Sequence, residues 1–201
     1  MTGASVVTGA DGIPRCAWAA STPDYAGYHD QEWGVPVHGE RELFERLTLE
    51  AFQSGLSWLT ILRKREGFRA AFAGFDPEAV ARFGLADRAR LMSDAGIVRN
   101  ARKIGAAIHN ADAVLRLRAH GGLDALVWAH TPARPTRRTQ LADVPATSPE
   151  SVALTKALKG HGFVFLGPTT VYAAMQACGL VDDHVTGCHR AGAARGATVR
   201  H

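Results

Sequence analysis

The stretch "DAGIVRNARKI", residues 94–104, predicts a tight turn between two helices, a helical hairpin. Apolar residues recur at helical spacing on both sides of it, which predicts a short helix over 86–94 and a long helix over about 98–118. Gly96 gives the turn its backbone freedom, and Ile97 can anchor the turn in the core.

The start of the long helix is a candidate phosphate site. The first amides of a helix have no partner within it, and the helix dipole makes that end positive. Arg99, Arg102 and Lys103 follow within one turn. An ordinary connection between two helices would carry the same pattern, so the hairpin alone leaves both interpretations open.

Most of the remaining chain also shows helical periodicity, and few stretches alternate as strands do. Residues 131–149 carry four prolines and no apolar periodicity, so we expect a surface excursion there. The first thirteen and last twelve residues are small or polar, and we expect them to be frayed. Further helices are predicted over 40–54, from Asp76-Pro77 to Gly84, from Ser148-Pro149 to about 159, and from Pro168 to Gly179.

Length and composition are those of a globular protein. The 201 residues suffice for one domain or for two small lobes that share a core, and 46% of them are apolar. The chain shows no export signal and no run of roughly 18 apolar residues, so we expect a cytoplasmic protein. The formal charge is +4, of which Arg190, Arg195 and Arg200 contribute three. This charge permits a polyanionic partner without requiring one.

The three cysteines favour metal binding or burial over disulfides, because their number is odd and no export signal precedes them. Cys16 and His29 precede the first strong helix, and His184 and Cys188 stand four residues apart near the other end. Two thiolates and two imidazoles suit tetrahedral Zn²⁺ in a closed, structural site.

Other interpretations of these residues stay open at this point. The spacing of His184 and Cys188 also arises by chance, and the two pairs lie far apart in the chain. His189, next to Cys188, could compete as a ligand. Cys178 lies among apolar residues of the last predicted helix, and we expect it to be a buried small hydrophobe.

Aromatic residues and one carboxylate suggest a ligand pocket. Seven of the fifteen aromatics fall between residues 16 and 58, and a plain aromatic core is the alternative to a stacking site for a flat ligand. Glu50 lies three residues after Leu47 and seven after Leu43, so its carboxylate should face inward. A buried carboxylate needs donors, which a structural arginine or the amine of a bound base could supply.

Long segments of the chain resemble the type I 3-methyladenine DNA glycosylases, a branch of the helix-hairpin-helix glycosylase superfamily. The resemblance covers about 15–188, in the order and with the spacing of that family. The matching segments are "RCAW", "YAGYHDQEWGVP", "LFERLTLEAFQSGLSWLTILRKRE", "DAGIVRNARKI" and "GFVFLGPTTVYAAMQACGLVDDHVTGC".

The resemblance implies an all-α, two-lobed helix-hairpin-helix fold in which a zinc staple joins the N- and C-terminal segments. One lobe contains both chain ends, the other contains the hairpin of about 86–118, and residues 1–14 and 189–201 flank the domain as flexible segments. The implied site residues are Cys16, His29, His184 and Cys188 for zinc; Tyr25, Tyr28, Trp33 and Trp58, with Trp18 nearby, for the base; Glu50 for catalysis or specificity; and Gly55, Leu56, Gly96, Ile97, Arg99 and Lys103 for DNA.

The implied reaction is hydrolysis of the N-glycosidic bond of 3-methyladenine in double-stranded DNA, which leaves an abasic site. Leu56 would fill the gap left by the flipped nucleotide, and Asp112 is expected to be a solvated surface residue. We expect a bacterial, monomeric enzyme that meets the nucleoid through DNA and does not bind membranes.

Two alternatives are a zinc-containing module that binds DNA or lesions without cutting the bond, and a zinc hydrolase. The inward Glu50 among aromatics favours the glycosylase over the module. Four good ligands disfavour the hydrolase, which needs an open metal position.

Overall fold

The chain is mostly helical, as the sequence predicts, and it adds one short pair of strands. The structure is a computed structural model, and it describes residues 4–134 and 137–193. No helix within these residues is long and apolar enough to cross a membrane. The strands are β1 (Val6–Thr8) and β2 (Pro14–Cys16), and the helices are α1 (Pro23–Gln31), α2 (Glu40–Gln53), α3 (Trp58–Ala71), α4 (Pro77–Ala81), α5 (Leu85–Ser93), α6 (Ala101–Leu117), α7 (Gly122–Trp128), α8 (Pro149–Gly160) and α9 (Pro168–Ala177).

The chain divides into two compact units. The first unit comprises Met1–Val37, Thr131–Ala146 and Met175–His201, and the second comprises His38–His130 and Thr147–Ala174. The last eight residues of the first unit, which include Arg195 and Arg200, lie outside the described residues.

The start of the chain differs from the sequence-based expectation. β1 and β2 pair in antiparallel fashion, with Val6 opposite Cys16 and Thr8 opposite Pro14. The expectation of a frayed segment over residues 1–14 is therefore corrected from Val6 onward, while residues 1–3 lie outside the described part of the chain. Val6 explains the order, because its side chain packs against the buried cluster of Cys16, Val185 and Cys188.

The excursion at 131–149 is held to the rest of the first unit by polar contacts. Arg138 donates to the buried carboxylate of Asp183 at 2.8 Å, and its carbonyl accepts from the Thr186 amide at 2.8 Å. The Leu141 amide donates to the Ser5 hydroxyl at 3.0 Å. Arg138 therefore has a structural partner; residues 135 and 136 of the same basic stretch lie outside the described residues.

The second unit is built around a cluster of phenylalanines. Ring centroids lie 4.7 Å apart for Phe52 and Phe68, 5.9 Å for Phe52 and Phe72, and 6.1 Å for Phe44 and Phe75. All five rings are fully buried. Burial of a side chain of this size stabilises a fold by roughly 1.5–3 kcal/mol, so this cluster is a main source of stability for the unit.

Three helices were absent from the sequence-based prediction, namely α1, α3 and α7. Capping residues mark two of them: the Thr22 hydroxyl accepts from the Tyr25 amide at 3.2 Å, and the Ser57 hydroxyl accepts from the Thr60 amide at 3.2 Å. These signals stand in the sequence, but α3 contains the charged run "RKRE" and lacks a clear apolar stripe.

The turn between α5 and α6, residues 94–100, packs directly on α3. A Cβ atom added to Gly67 in α3 would lie 2.5 Å from the Gly96 carbonyl oxygen, closer than any real contact. The Lys64 ammonium donates to the Ala95 carbonyl at 2.6 Å. Gly96 itself does not have a positive φ, so the sequence-based reason for this glycine was wrong. The close approach of two backbones is what the glycines permit.

We predict that Gly67→Ala lowers the free energy of unfolding by about 1–3 kcal/mol, because the methyl group forces α3 away from the turn. Alanine elsewhere in a helix normally adds stability relative to glycine. Gly105→Ala in α6 is the matched control, since its Cβ would meet only the end of the Arg88 side chain at 3.3 Å. Urea unfolding of both variants checks this. Equal stability of Gly67→Ala and the parent would contradict the tight contact.

Candidate active site and metal-ligating group

Three residues from distant parts of the chain meet in the first unit. Cys16 ends β2, His29 lies in α1, and Cys188 follows the last described helix. Their ligand atoms lie within 4.8 Å of one another, and all three residues are buried. The His29 Nε2 atom lies 3.3 Å from the Cys188 sulfur. This donor set, two sulfurs and one imidazole, is typical of zinc sites.

His184 lies beside this group, but its ring nitrogens are not within 4.8 Å of all three ligand atoms. Its ring centroid is 5.0 Å from that of His29. Its Nδ1 atom bonds to Asp182 at 2.9 Å, and its Nε2 atom is buried with no hydrogen-bond partner in the described part of the chain. A buried ring nitrogen without a partner is costly, and a metal ion would satisfy it.

Carboxylates fix the orientation of both histidines. Asp30 bonds to the Nδ1 atom of His29 at 2.8 Å, as Asp182 does for His184. Arg15 then holds Asp30 through three hydrogen bonds of 2.7 to 3.0 Å. Carboxylate partners at Nδ1 leave Nε2 as the lone-pair donor, which is the usual arrangement around metal-ligating histidines.

A hydrogen bond between the two thiols shifts the pKa of each. The hydrogen bond from Cys16 lowers the pKa of Cys188, and the same bond with burial raises the pKa of Cys16. The lowered pKa favours the thiolate form of Cys188 beside the His29 imidazole, and the thiolate is the form that binds metal.

His189 belongs to a second group of possible ligands, together with His29 and Asp30. Its Nδ1 atom donates to the Pro14 carbonyl at 3.0 Å, and its Nε2 atom lies 3.4 Å from Asp30. His189 is therefore close enough to His29 and Asp30 to compete as a metal ligand, although these three residues include no cysteine.

An aromatic group lies in the same unit. The Trp18 ring is surrounded by others: centroid distances are 5.6 Å to Tyr25, 6.5 Å to Tyr28 and 5.1 Å to Trp33. Tyr28 is buried, whereas the other three are half-buried. The three partly exposed rings can offer a flat ligand a stacking surface.

The aromatic group contacts the two buried histidines, His29 and His184. The Trp33 ring lies 4.6 Å from the His184 ring and 6.2 Å from the His29 ring, and Trp18 lies 5.3 Å from His29. Whatever holds the two histidines in place therefore also fixes Trp18 and Trp33.

In the second unit, Glu50 is buried on α2, as its place on the apolar stripe predicts. No hydrogen bond to its carboxyl group is found among the described residues. Burial raises the pKa of Glu50 from its ordinary 4.5 to about 8, against a smaller opposing effect of Arg46. At neutral pH the carboxyl group is mostly protonated, and this is the most perturbed carboxyl group in the described chain.

The loop after α2, residues 53–56, is tightly turned. Gly55 has a φ of 81°, and the Leu56 amide donates to the Gln53 carbonyl at 2.7 Å. Leu56 is 40% exposed, which is unusual for a leucine on an ordered loop. Trp58 follows at the first position of α3 and is half-buried.

The turn at residues 94–100 changes the expected phosphate site. α6 begins at Ala101, and the Asn100 side chain accepts from the amides of Arg102 and Lys103, both at 3.1 Å. Those two amides are thus already satisfied. The amides of Val98 and Arg99 donate no hydrogen bond within the part of the chain that the structure describes, so the candidate donors shift from the helix into the turn.

The predicted DNA-contact residues of this turn differ in exposure. Gly96 and Arg99 are exposed, and Ile97 is buried at 2% exposure, as expected of an anchor. Lys103 is also buried, and burial lowers its pKa. Asp112, further along α6, is exposed and pairs with Arg116, as expected of a surface residue.

Comparison with known proteins identifies the family. Residues 18–191 match the family described as methyladenine glycosylase, and the chain therefore belongs to that family.

Relatives and solved structures agree with this assignment. The chain is 48% identical over 180 residues to DNA-3-methyladenine glycosylase 1 of Escherichia coli, covering 88% of this chain and 96% of that protein. A crystal structure of 3-methyladenine DNA glycosylase I superposes with a TM-score of 0.83 at 47% identity, over 87% of this chain and 98% of the other. The Staphylococcus aureus enzyme, solved to explain its 3-methyladenine recognition, gives a TM-score of 0.83 at 36% identity, over 88% and 96%.

We predict that Glu50→Gln stabilises the protein increasingly as the pH rises from 5 to 8. The folded-state pKa of about 8 lies above the ordinary 4.5, so the folded chain holds a proton that the unfolded chain releases between these values. Glu50 therefore loses its contribution to stability across this window, whereas glutamine cannot ionise. The advantage of the variant should grow by about 2–4 kcal/mol.

The measurement is urea unfolding at pH 5, 6.5 and 8. Glu42→Gln, an exposed position on the same helix, serves as the control and should show no such trend. A pH-independent difference between Glu50→Gln and the parent would contradict the raised pKa.

Proposed function

We propose that this chain is a base-excision repair enzyme that hydrolyses the N-glycosidic bond of 3-methyladenine in alkylated DNA. Its family and the names of its close relatives support this activity. The observation on the chain itself that supports it most is the buried Glu50, a carboxyl group kept neutral by desolvation. A protein that only grips phosphates has no use for such a group.

Glu50 selects the damaged base by its charge in this proposal. Adenine methylated at N3 within DNA carries a positive charge, whereas unmodified adenine is neutral. A cation beside Glu50 would lower its pKa and favour the carboxylate, which then accepts hydrogen bonds from the base. A neutral base does not lower the pKa of Glu50, so it gains no interaction with a carboxylate in this desolvated site. Discrimination thus follows from the environment of one carboxyl group.

The aromatic residues would favour the same charge. A cation over an aromatic face is stabilised by about 0.5–2 kcal/mol, most strongly by tryptophan. Trp18, Tyr25, Tyr28 and Trp33 in the first unit, and Trp58 in the second, are the proposed base contacts. Because a charged base is already a good leaving group, binding and selection supply most of what the reaction needs, and Glu50 supplies the complementary charge.

DNA binding is assigned to two exposed features of the second unit. The amides of Val98 and Arg99, which follow Gly96 in the turn, would hold a backbone phosphate together with the Arg99 side chain, in the manner of a helix-hairpin-helix. Leu56, presented by the turn at Gly55, would occupy the space of the flipped nucleotide. Flipping costs a few kcal/mol and costs least for a damaged base.

Zinc is proposed as a structural ion held by Cys16, His29, His184 and Cys188. The buried His184 Nε2 atom without a partner and the thiolate of Cys188 both fit a metal ligand. A closed shell of four protein ligands leaves no position for water, so the ion would supply folding energy and no Lewis-acid chemistry. Its effect on function would pass through Trp18 and Trp33, which contact the two histidines.

We predict that the protein releases 3-methyladenine from methylated DNA much faster than 7-methylguanine, as measured by chromatography of the released bases. Glu50→Gln should slow the release at least tenfold, because glutamine cannot become a carboxylate. Glu42→Gln is the matched control and should keep the parental rate. Comparable release of both bases would overturn the specificity, and full activity of Glu50→Gln would reduce Glu50 to a structural part.

We also predict one zinc ion per chain, which Cys16→Ser and His184→Ala should lose. Metal binding is coupled to folding, so both variants should unfold at lower temperature than the parent. Cys178→Ala is the control, since Cys178 is buried away from the ligand group and should keep the metal. Elemental analysis and thermal unfolding check this. A purified parent chain that binds no zinc after reconstitution would refute the site.

A further inference from the structure

Lys103, a buried residue near the start of α6, contacts the loop that carries Leu56. The Lys103 ammonium donates to the Phe52 carbonyl at 2.8 Å and to the Ser54 carbonyl at 2.6 Å. The residue is only 7% exposed. A cation so placed cannot also serve a solvent-exposed phosphate without breaking these bonds.

The contacts of Lys103 meet an electrostatic need of α2. The last carbonyls of a helix lack partners within it, and the helix dipole makes that end negative. α2 ends at Gln53, and the backbone of Ser54, the residue that caps this end, does not continue the helix. The ammonium supplies the missing donors and the opposite charge at this end. It also fixes the point where the chain leaves α2.

The loop itself is closed by a second pair of bonds. The Gln53 side chain donates to the Leu56 carbonyl at 3.0 Å, and the Leu56 amide returns a bond to the Gln53 carbonyl at 2.7 Å. Together with the lysine contacts, these bonds engage four carbonyls and one amide, which belong to Phe52, Gln53, Ser54 and Leu56. An exposed apolar side chain is thus presented on an ordered backbone, so little ordering remains to be done when it enters DNA.

Lys103 is held at its backbone as well. Its amide donates to the Asn100 side chain at 3.1 Å, which ties it to the turn at residues 94–100. One residue therefore connects the turn, the candidate phosphate site, with the loop that presents Leu56. The Lys103 side chain thus helps to set the separation between these two features, together with the packing of the turn on α3.

We propose that Lys103 is a positioning residue for the Leu56 loop rather than a phosphate ligand. This inference rests on the proposed role of Leu56 in filling the vacated stack. It reassigns a residue that the sequence placed among the DNA contacts. Lys103 acts by fixing where Leu56 stands relative to the turn, and its own charge never reaches the DNA backbone.

Lys103→Arg tests this directly, with Lys103→Met as its companion. Arginine serves a phosphate at least as well as lysine, so a phosphate ligand would tolerate the change. The positioning role predicts instead that the larger guanidinium displaces the Phe52 and Ser54 carbonyls. Single-turnover release of 3-methyladenine should then fall about 10- to 100-fold, as misplacement by about 1 Å commonly costs.

The salt dependence of DNA binding separates the two roles independently of catalysis. Loss of one phosphate contact reduces the slope of log affinity against log salt by about one. Lys103→Met should keep the parental slope on undamaged duplex, whereas Arg99→Gln, at an exposed position of the turn, should reduce it. A reduced slope in Lys103→Met, or parental excision by Lys103→Arg, would overturn the inference.

A double-mutant cycle completes the experiment. If Lys103 acts through Leu56, Lys103→Arg should slow excision little further in a Leu56→Ala background. Additive losses would overturn the inference. Parental excision by Leu56→Ala would instead refute the proposed role of Leu56, and absence of base release by the parent chain would refute the proposed function; the salt slopes still test the phosphate role in both cases. Thermal unfolding of each variant verifies that the compared proteins are folded.

Discussion

The constraint that the packing of the second unit has to meet is the burial of one carboxyl group that has no hydrogen bond among the described residues. Glu50 loses its hydration and is kept neutral near pH 7 because its pKa rises to about 8. Such a site persists only when the surrounding packing repays it. Glu50 lies in the C-terminal half of α2, where every residue from Leu47 to Phe52 is buried. The core thus accommodates an unfavourable group, and groups with a strongly shifted pKa are found preferentially at functional sites.

The first unit contains both ends of the chain, where few apolar side chains are available to form a core. Its small core consists of Cys16, Val185 and Cys188 with a few half-buried neighbours. Polar geometry supplements this core: Asp30 and Asp182 orient two histidines, and Arg15 holds Asp30. A metal ion would convert these separate pairs into one cross-linked group. The aromatic rings on the histidines would then be fixed by the same bonds, since Trp33 contacts both.

Sequence patterns predicted the features that depend on local periodicity and missed those that depend on tertiary contacts. The helices at 40–53, 85–93, 101–117 and 149–160 lie within a few residues of their predicted bounds, and Glu50 and Ile97 face the core as their spacing indicated. The strand pair β1 and β2 has only three residues a side and packs through Val6, so no alternation of useful length marks it. The reason for Gly96 could not be found locally either. Its partner Gly67 lies on another helix, and only their contact explains both.

Lys103 and Asn100 show most clearly why residue type and position do not fix a role. Both stand at the start of a helix, where amides and cations are expected to meet a phosphate. Asn100 uses its side chain to satisfy two of those amides, and Lys103 turns inward because unsatisfied carbonyls at the end of α2 lie within its reach. The contact of Lys103 with the Phe52 carbonyl is buried, and leaving either group without a partner there would be costly. The Asn100 bonds are the ordinary cap of a helix start. The donors that remain for a phosphate are the Val98 and Arg99 amides and the exposed Arg99 side chain. In the proposed function, the DNA contacts of this segment would therefore lie in the turn and not in the first turn of α6.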